Sequence, residues 1–287
     1  MRDRQRLQKA ADSEPDIPRL AARISRRVGR TRNEILDVMR AVNFESLTRA
    51  EQRKIVRNIE QILNRLDADF AEEIPEVIDE VYEHGRARTL VSLGLFGSIA
   101  AARRHLRGKD GKTSRAHRSF KSAVIESTMD DLLTMTQNTR RRVKAEVRRV
   151  AAEVFRQDEA VTSQRRRMTK ELREAGVFAI RDAAGRRWNI EHYTDVVTVT
   201  KIAEAHREAT TQEAYEQGAG YVVVSQHGDP CEKCAPWEGR MLRIDDRVPG
   251  GEPTLDDAIS AGLLHPACKH TVTPIRNPDV APSWVRR

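Results

Sequence analysis

Apolar residues recur at steps of three and four positions through much of the first 160 residues. Steps of this size place side chains on one face of an α-helix, so the pattern predicts long helices with one buried face. One series runs through RKIVRNIEQILNRLDADFAEEIPEVIDEVY and consists of Ile55, Ile59, Ile62, Leu66, Phe70, Ile74, Ile78 and Val81. Pro75 lies inside this series and predicts a kink or a break, because proline has no N–H to donate.

A second long helix is predicted from about residue 113 to about residue 157 by the same spacing. Its apolar positions are Phe120, Val124, Leu132, Met135, Val143, Val147, Val150 and Val154. The last four follow a four-three-four step, which is typical of antiparallel or coiled-coil packing. Between the two helices, TLVSLGLFGSIAAA at 89–102 is apolar and contains glycine. We interpret it as a buried turn or as a place where a partner packs.

The pattern changes near residue 176. GVFAIRDAAGRRWNIEHY predicts two strands, at 177–180 and 187–190, joined by a turn at 182–185. A helix is predicted from about 191 to 217, with Gly218 as its C-terminal cap. Further short strands are predicted at 221–226, 241–244 and 271–275. The chain is therefore predicted to have a mainly α N-terminal domain with long helices, at 1–165, and a small α+β C-terminal domain, at 166–287.

Composition agrees with long, exposed helices, since 33% of the residues are charged and only 5% are aromatic. The chain has no apolar run of about 18 residues, so we expect no transmembrane helix. The first 20 residues lack the apolar core of a secretory signal, which predicts a protein made in a reducing cytoplasm.

The net charge is +8, and basic residues are concentrated at 103–118, 140–149 and 165–173. Such runs form either a solvated helix face or a surface that contacts DNA phosphates or an acidic protein. Aromatic residues are almost absent from them, so stacking on single-stranded bases is not predicted.

The three cysteines lie in two short segments that also contain histidine. HGDPCEKCAPWEG holds Cys231 and Cys234, and GLLHPACKH holds His265, Cys268 and His270. Ligands two residues apart suit a tight turn that presents both to one tetrahedral zinc ion. The sequence therefore predicts a closed, structural zinc site that staples the C-terminal domain. Three cysteines and one of the two histidines supply its ligands, and the spacing alone does not choose between them.

Other chemistry for these residues is less well supported. A thioredoxin-like pair would need a helix after the second cysteine, where this chain has the turn-rich APWEG. A disulfide framework is disfavoured by a reducing compartment and an odd number of cysteines. A catalytic zinc would keep an open position beside a general base, for which Glu232 and Glu238 are the nearest candidates. Trp237 is expected to pack over the cluster.

Residues from about 170 to 275 resemble the phage minor capsid protein 2 group, relatives of the Mu F-like head morphogenesis proteins. The resemblance rests on Gly185, Arg186, Trp188, Tyr193, the strand end VSQH, Cys231, Cys234, APWEG and the pattern GL-HP-C-H. Some relatives have Arg and His at the positions of Cys231 and Cys234, which makes His227 a reserve ligand.

The resemblance implies a minor component of the virion interior, made in the host bacterial cytoplasm. It implies contact with the portal or the major capsid protein, and a role in head assembly or genome delivery. Any contact with packaged DNA would be non-specific, and no membrane, small-molecule substrate or catalytic residue is implied. The alternatives are a metal-dependent nuclease or hydrolase, or a non-virion DNA-binding protein that uses the basic helices.

Overall fold

The computed structural model describes residues 13–42, 48–108, 113–154, 179–181, 187–227, 229–281 and 285–286. Its helices are α1 (Ile17–Arg40), α2 (Arg49–Ser92), α3 (Ile99–Arg107), α4 (Arg115–Val154), α5 (Ile190–Glu216) and α6 (Leu255–Ser260). Its strands are β1 (Ala179–Arg181), β2 (Arg187–Asn189), β3 (Tyr221–Val224), β4 (Met241–Arg243) and β5 (Val272–Ile275), followed by a 3-10 turn at Pro278–Val280. The predicted fold class is confirmed. The predicted boundary at residue 165 and the basic run at 165–173 lie outside the described residues.

The apolar series in α2 is confirmed as its buried face. Every member from Ile59 to Val81 is at most 7% exposed, and Ile55 is partly buried. The helix continues through Pro75, so the predicted break is wrong. Proline removes one N–H, a cost of roughly 3 kcal/mol. Burying Ile74 and Val77, each 1% exposed, offsets a cost of that size because a fully buried side chain contributes about 1.5–3 kcal/mol.

The apolar series in α4 is confirmed at five positions. Val124, Leu132, Met135, Val143 and Val147 are buried, whereas Phe120 is 40% exposed and does not belong to the core. The side chains of Val150 and Val154 lie outside the described ones.

The chain forms two compact units. The second unit consists of 21–74 and 127–198. Parts of α1, α2 and α4 surround one apolar core there, which contains Ile35, Met39, Val42, Ile59, Ile62, Leu63, Val143 and Val147. The β1–β2 hairpin is antiparallel, as predicted, and its turn at 182–185 lies outside the described residues.

The first unit consists of 1–20, 75–126 and 199–287. Its sheet has the order β4–β3–β5 and both pairings are antiparallel. Gly218 ends α5 with a φ of 72°, as expected of a glycine cap, and the N–H of Ala219 reaches back to the carbonyl of Ala214 at 2.8 Å. The apolar segment 89–102 forms the predicted turn between α2 and α3, with Leu90, Val91 and Ala102 buried and Leu95 exposed.

Arg88 is a fully buried cation in the first unit. Its guanidinium donates to the carbonyl of Val272 at 2.9 Å and to Oγ1 of Thr273 at 2.8 Å, both on β5. Glu14 lies 3.7 Å from the same group. Burial lowers the pKa of Arg88 to about 10, so the side chain stays charged at neutral pH. Arg88 therefore fixes α2 against β5, the strand that follows the second Cys/His segment.

Among the described residues, we find no helix with the length and hydropathy of a membrane span.

Candidate metal centre

The two Cys/His segments meet because of the sheet topology. Strands β3 and β5 are antiparallel, and Val224 at the end of β3 pairs with Val272 at the start of β5. The chain that leaves β3 and the chain that enters β5 therefore lie at the same end of the sheet. Cys231 and Cys234 follow β3, whereas His265, Cys268 and His270 precede β5.

Each segment folds into a tight turn. The N–H of Cys234 donates to the carbonyl of Cys231 at 3.0 Å, and the N–H of Cys268 donates to the carbonyl of His265 at 2.9 Å. Ala267, just before Cys268, has a φ of 59°, a left-handed conformation that is uncommon for alanine. Its N–H donates to Oγ1 of Thr200 at 3.2 Å, which holds the second turn against α5. The predicted knuckle spacing is thus realised at both C-x2-C and H-x2-C.

The turns bring all five predicted ligands together in two overlapping groups. Cys231, Cys234 and His265 form one group, and Cys234, Cys268 and His270 form the other; within each group the ligand atoms lie within 4.8 Å of one another. Sγ of Cys234 is 3.6 Å from Sγ of Cys268, and Nδ1 of His270 is 3.4 Å from Sγ of Cys268. Nε2 of His265 is 3.2 Å from Sγ of Cys231. Ligand atoms on a tetrahedral zinc ion are about 3.3–3.8 Å apart, given the usual Zn–S and Zn–N lengths. The donor set and its spacing therefore fit a metal ion.

The thiols differ in their surroundings. Cys231 is exposed and Cys234 is buried. The N–H of Cys234, together with His265, lowers the pKa of Cys231 to about 7. Burial opposes ionisation of Cys268, but hydrogen bonds from His270 lower its pKa to about 7. Burial and the neighbouring thiols raise the pKa of Cys234 to about 12. Two thiolates are thus accessible near neutral pH, the form in which cysteine binds metal.

Both histidines have a hydrogen-bond partner on the ring nitrogen that faces away from the thiols. Nε2 of His270 lies 3.0 Å from Oε1 of Glu238, and Nδ1 of His265 lies 2.9 Å from the carbonyl of Pro266. Such a partner fixes the tautomer and leaves the other nitrogen free for a metal. His270 is buried, whereas His265 is partly exposed.

Two donors share one carboxylate oxygen of Glu238, which favours an orienting role over that of a general base. Besides His270, its Oε1 accepts the backbone N–H of His227 at 2.5 Å. Although partial burial raises the pKa of Glu238, these two donors lower it below the usual value. A general base works best with a pKa near the operating pH, so this carboxylate is better suited to orienting His270. Glu232 is exposed.

The remaining residues singled out in the sequence surround the cluster. Nε2 of His227 is 3.2 Å from Oγ of Ser225, and its ring packs edge-on against His270, so among the described residues it joins neither ligand group. Trp237 is partly buried and packs against the apolar core that contains Cys234, as predicted.

The sequence reasoning missed Thr200 and Arg286. Arg286 donates to the carbonyls of Pro236 and Glu238, and its backbone bridges to Arg240, so it closes the turn after Cys234. No motif marks either residue, because both act on backbone groups whose position only the fold determines.

A second group of possible ligands in the first unit consists of His117, Glu213 and Glu216. Arg86 donates to Oε2 of Glu213 at 2.7 Å, the oxygen that also lies 3.2 Å from His117. Although burial raises the pKa of Glu213, these two partners lower it to about 2. Arg86 already neutralises the carboxylate, so the group is best explained as a buried ion-pair network that joins α2, α4 and α5.

Comparison with known proteins identifies a family that the chain matches. A family model described as phage minor capsid protein 2 matches residues 19–277. The match extends through the helical part of the chain, well beyond the segment 170–275 that carried the resemblance. Neither the curated proteins nor the solved structures contain a match to this chain.

Proposed function

The chain belongs to the phage minor capsid protein 2 family, and from this premise we propose that it is a minor protein of the inner head held together by a structural zinc ion. The observation that carries the virion assignment is the family match, which covers most of the chain. The Cys/His cluster supports the zinc assignment through its donor set and spacing.

For the zinc site, we propose Cys231, Cys234 and Cys268 as ligands, with His270 as the fourth. His270 is 7% exposed and has a carboxylate behind it, whereas His265 is partly exposed and bonds only the neighbouring carbonyl of Pro266. Zinc with four protein ligands has no open position, and its role there is to stabilise the fold. The three short strands pack on an apolar core that includes Cys234, so a metal ion held by this cysteine would add its binding free energy to the stability of that core.

A structural role also agrees better with the cluster than a hydrolase does. A catalytic zinc needs an open position and a nearby base. Five candidate ligands compete for four positions, and Glu238 is bound to His270 and to the N–H of His227. The capsid family likewise suggests a structural protein.

Within the virion, we propose contact with the portal or the major capsid protein, and a part in head assembly or genome delivery. The proposal is tested by isolating portal complexes from infected cells through a tag on the portal protein. We expect this chain to co-purify at a fixed ratio in the absence of DNA. If this chain is absent from the isolated portal complexes, the portal contact is wrong.

We predict that Glu238→Gln weakens zinc binding by about 10–100-fold, because removing a carboxylate behind a histidine ligand typically has that effect. Glu232→Gln is the matched control: it makes the same change six residues away on an exposed side chain and should leave the zinc affinity unchanged. Competition with a chromogenic chelator measures both. Equal affinities for the two variants would contradict the role of Glu238. A metal-loaded Glu238→Gln protein that has lost a hydrolytic activity would favour the enzyme alternative.

A further inference from the structure

Charged side chains of α2 and α4 pair in a regular series within the second unit. Arg140 donates to Asn64 at 2.8 Å and to Asp67 at 2.6 Å. Lys144, one helical turn later, pairs with Glu60, one turn earlier on α2. The two helices are therefore antiparallel here, and each step of four residues along α4 moves the pairing back by about four on α2.

When this pairing register is continued by one helical turn, the residues on both helices are cations. On α4 the next residue is Arg148, four positions after Lys144. On α2 the register reaches Arg57 and then Arg53, which precede Glu60 by three and seven positions and so share its helix face. The first pairs of the series join a cation to a carboxylate, and the same register, continued by one step, places Arg148 near Arg57 and Arg53. Like charges at this spacing repel, so the arrangement favours binding of an anion.

These three arginines are exposed, and the described part of the chain offers none of them a carboxylate within ion-pair distance. Arg49 and Lys54, also exposed, extend the group over the first turns of α2. We call Arg49, Arg53, Lys54, Arg57 and Arg148 the cationic end. The described residues 48–69 and 127–154 contain no aromatic side chain, so nothing there stacks on unpaired bases.

We infer that the cationic end binds the phosphate backbone of duplex DNA. Arginine is well suited to phosphate, because its planar fork can donate two hydrogen bonds to one group. Residues 49–57 rise about 12 Å along the helix. Duplex DNA carries one negative charge per about 1.7 Å of its axis, so several phosphates fall within that reach. In a protein of a capsid family, the polyanion at hand is the packaged genome.

Four of the five residues of the cationic end lie outside the runs of densest basic sequence, and only Arg148 lies within one of them. In the run 103–118, Arg103 and Arg107 both pair with Glu83, at 3.3 and 2.7 Å. That carboxylate partly neutralises them, whereas the cationic end has no such partner among the described residues. The cationic end is far in sequence from the Cys/His cluster, so a ligand there would be additional to the proposed structural role.

The test compares two triple variants of the full-length chain by fluorescence anisotropy on two unrelated duplexes across a salt series. In R53Q/R57Q/R148Q we expect the slope of log K against log salt to become shallower by about 2–3, at roughly 0.9 per lost phosphate contact. The change in slope should be the same for both duplexes, because contacts to phosphates do not depend on base sequence. The control R23Q/R26Q/R30Q removes equal charge from α1 and should change the slope much less. If the slope changes equally in the two variants, only net charge matters, and the assignment of DNA binding to the cationic end is wrong.

A second variant separates binding from folding. Arg57→Glu should pair with Arg148 and continue the ion-pair series, so we expect its thermal midpoint to equal or exceed that of the wild type while its affinity for DNA falls. If R57E keeps wild-type affinity, the site is wrong. A further outcome is that the triple variant binds DNA as tightly as the wild type does, while polyglutamate displaces DNA only from the wild type. In that case the ligand of the cationic end is an acidic protein instead. These measurements use purified protein, so their failure would leave the virion assignment intact.

Discussion

Cys234→Ser should abolish stable zinc binding and unfold the segment that contains β3, β4, α6 and β5. Cys234 is fully buried and is the one residue shared by both ligand groups, so its loss disrupts either choice of histidine. Metal binding contributes on the order of 10 kcal/mol to small zinc-dependent folds, comparable with the whole stability of a typical domain. Elemental analysis and hydrogen exchange of 221–275 measure the two effects.

Ala235→Ser is the control, because it introduces the same hydroxyl at the next, exposed position and should change neither the zinc content nor the exchange. Adding a strong chelator to the wild-type protein should reproduce the exchange pattern of Cys234→Ser. A metal-free protein in which 221–275 stays as protected as in the wild type would mean that the cysteines pack without metal.

Arg88→Met should lower the free energy of unfolding by about 3 kcal/mol, the lower end of the cost of breaking a buried charged pair. Methionine is long enough to occupy much of the space but donates no hydrogen bond. The carbonyl of Val272 and the carboxylate of Glu14 then lose a charged partner. Urea unfolding of the zinc-loaded protein gives the value.

Arg107→Gln provides the comparison, since Arg107 pairs with Glu83 in an exposed position where water screens the interaction. Its unfolding midpoint should stay close to that of the wild type. If Arg88→Met and Arg107→Gln unfold at the same urea concentration, Arg88 does not fix β5 as described.

The sequence predicted most of the secondary structure because apolar spacing directly reports which face of a helix is buried. The series from Ile59 to Val81 and the cap at Gly218 are examples. The predicted alternative of a break at Pro75 is wrong, because a local preference against helix is outweighed there by burial of the neighbouring apolar residues. Phe120 follows the helical period but lies on a part of α4 that nothing covers fully among the described residues.

The Cys/His cluster was predictable as a set of residues but not as an arrangement. Ligand spacing in C-x2-C and H-x2-C reflects local turns, and both turns form. The contact between the two segments depends on the pairing of β3 with β5, and the orientation of His270 depends on Glu238, which the spacing suggested only as a possible base. Only Arg148 of the cationic end lies in a basic run that the sequence pointed out, because a run of basic residues does not reveal which of them already have carboxylate partners.

The central claim, that this chain is a minor component of the virion interior, is tested most directly by quantitative mass spectrometry of purified phage particles treated with protease before disruption. The account predicts that peptides from 19–277 survive the treatment at a constant, low ratio to the portal protein and disappear when opened particles are digested. Particles that are complete and infectious but lack these peptides would contradict it.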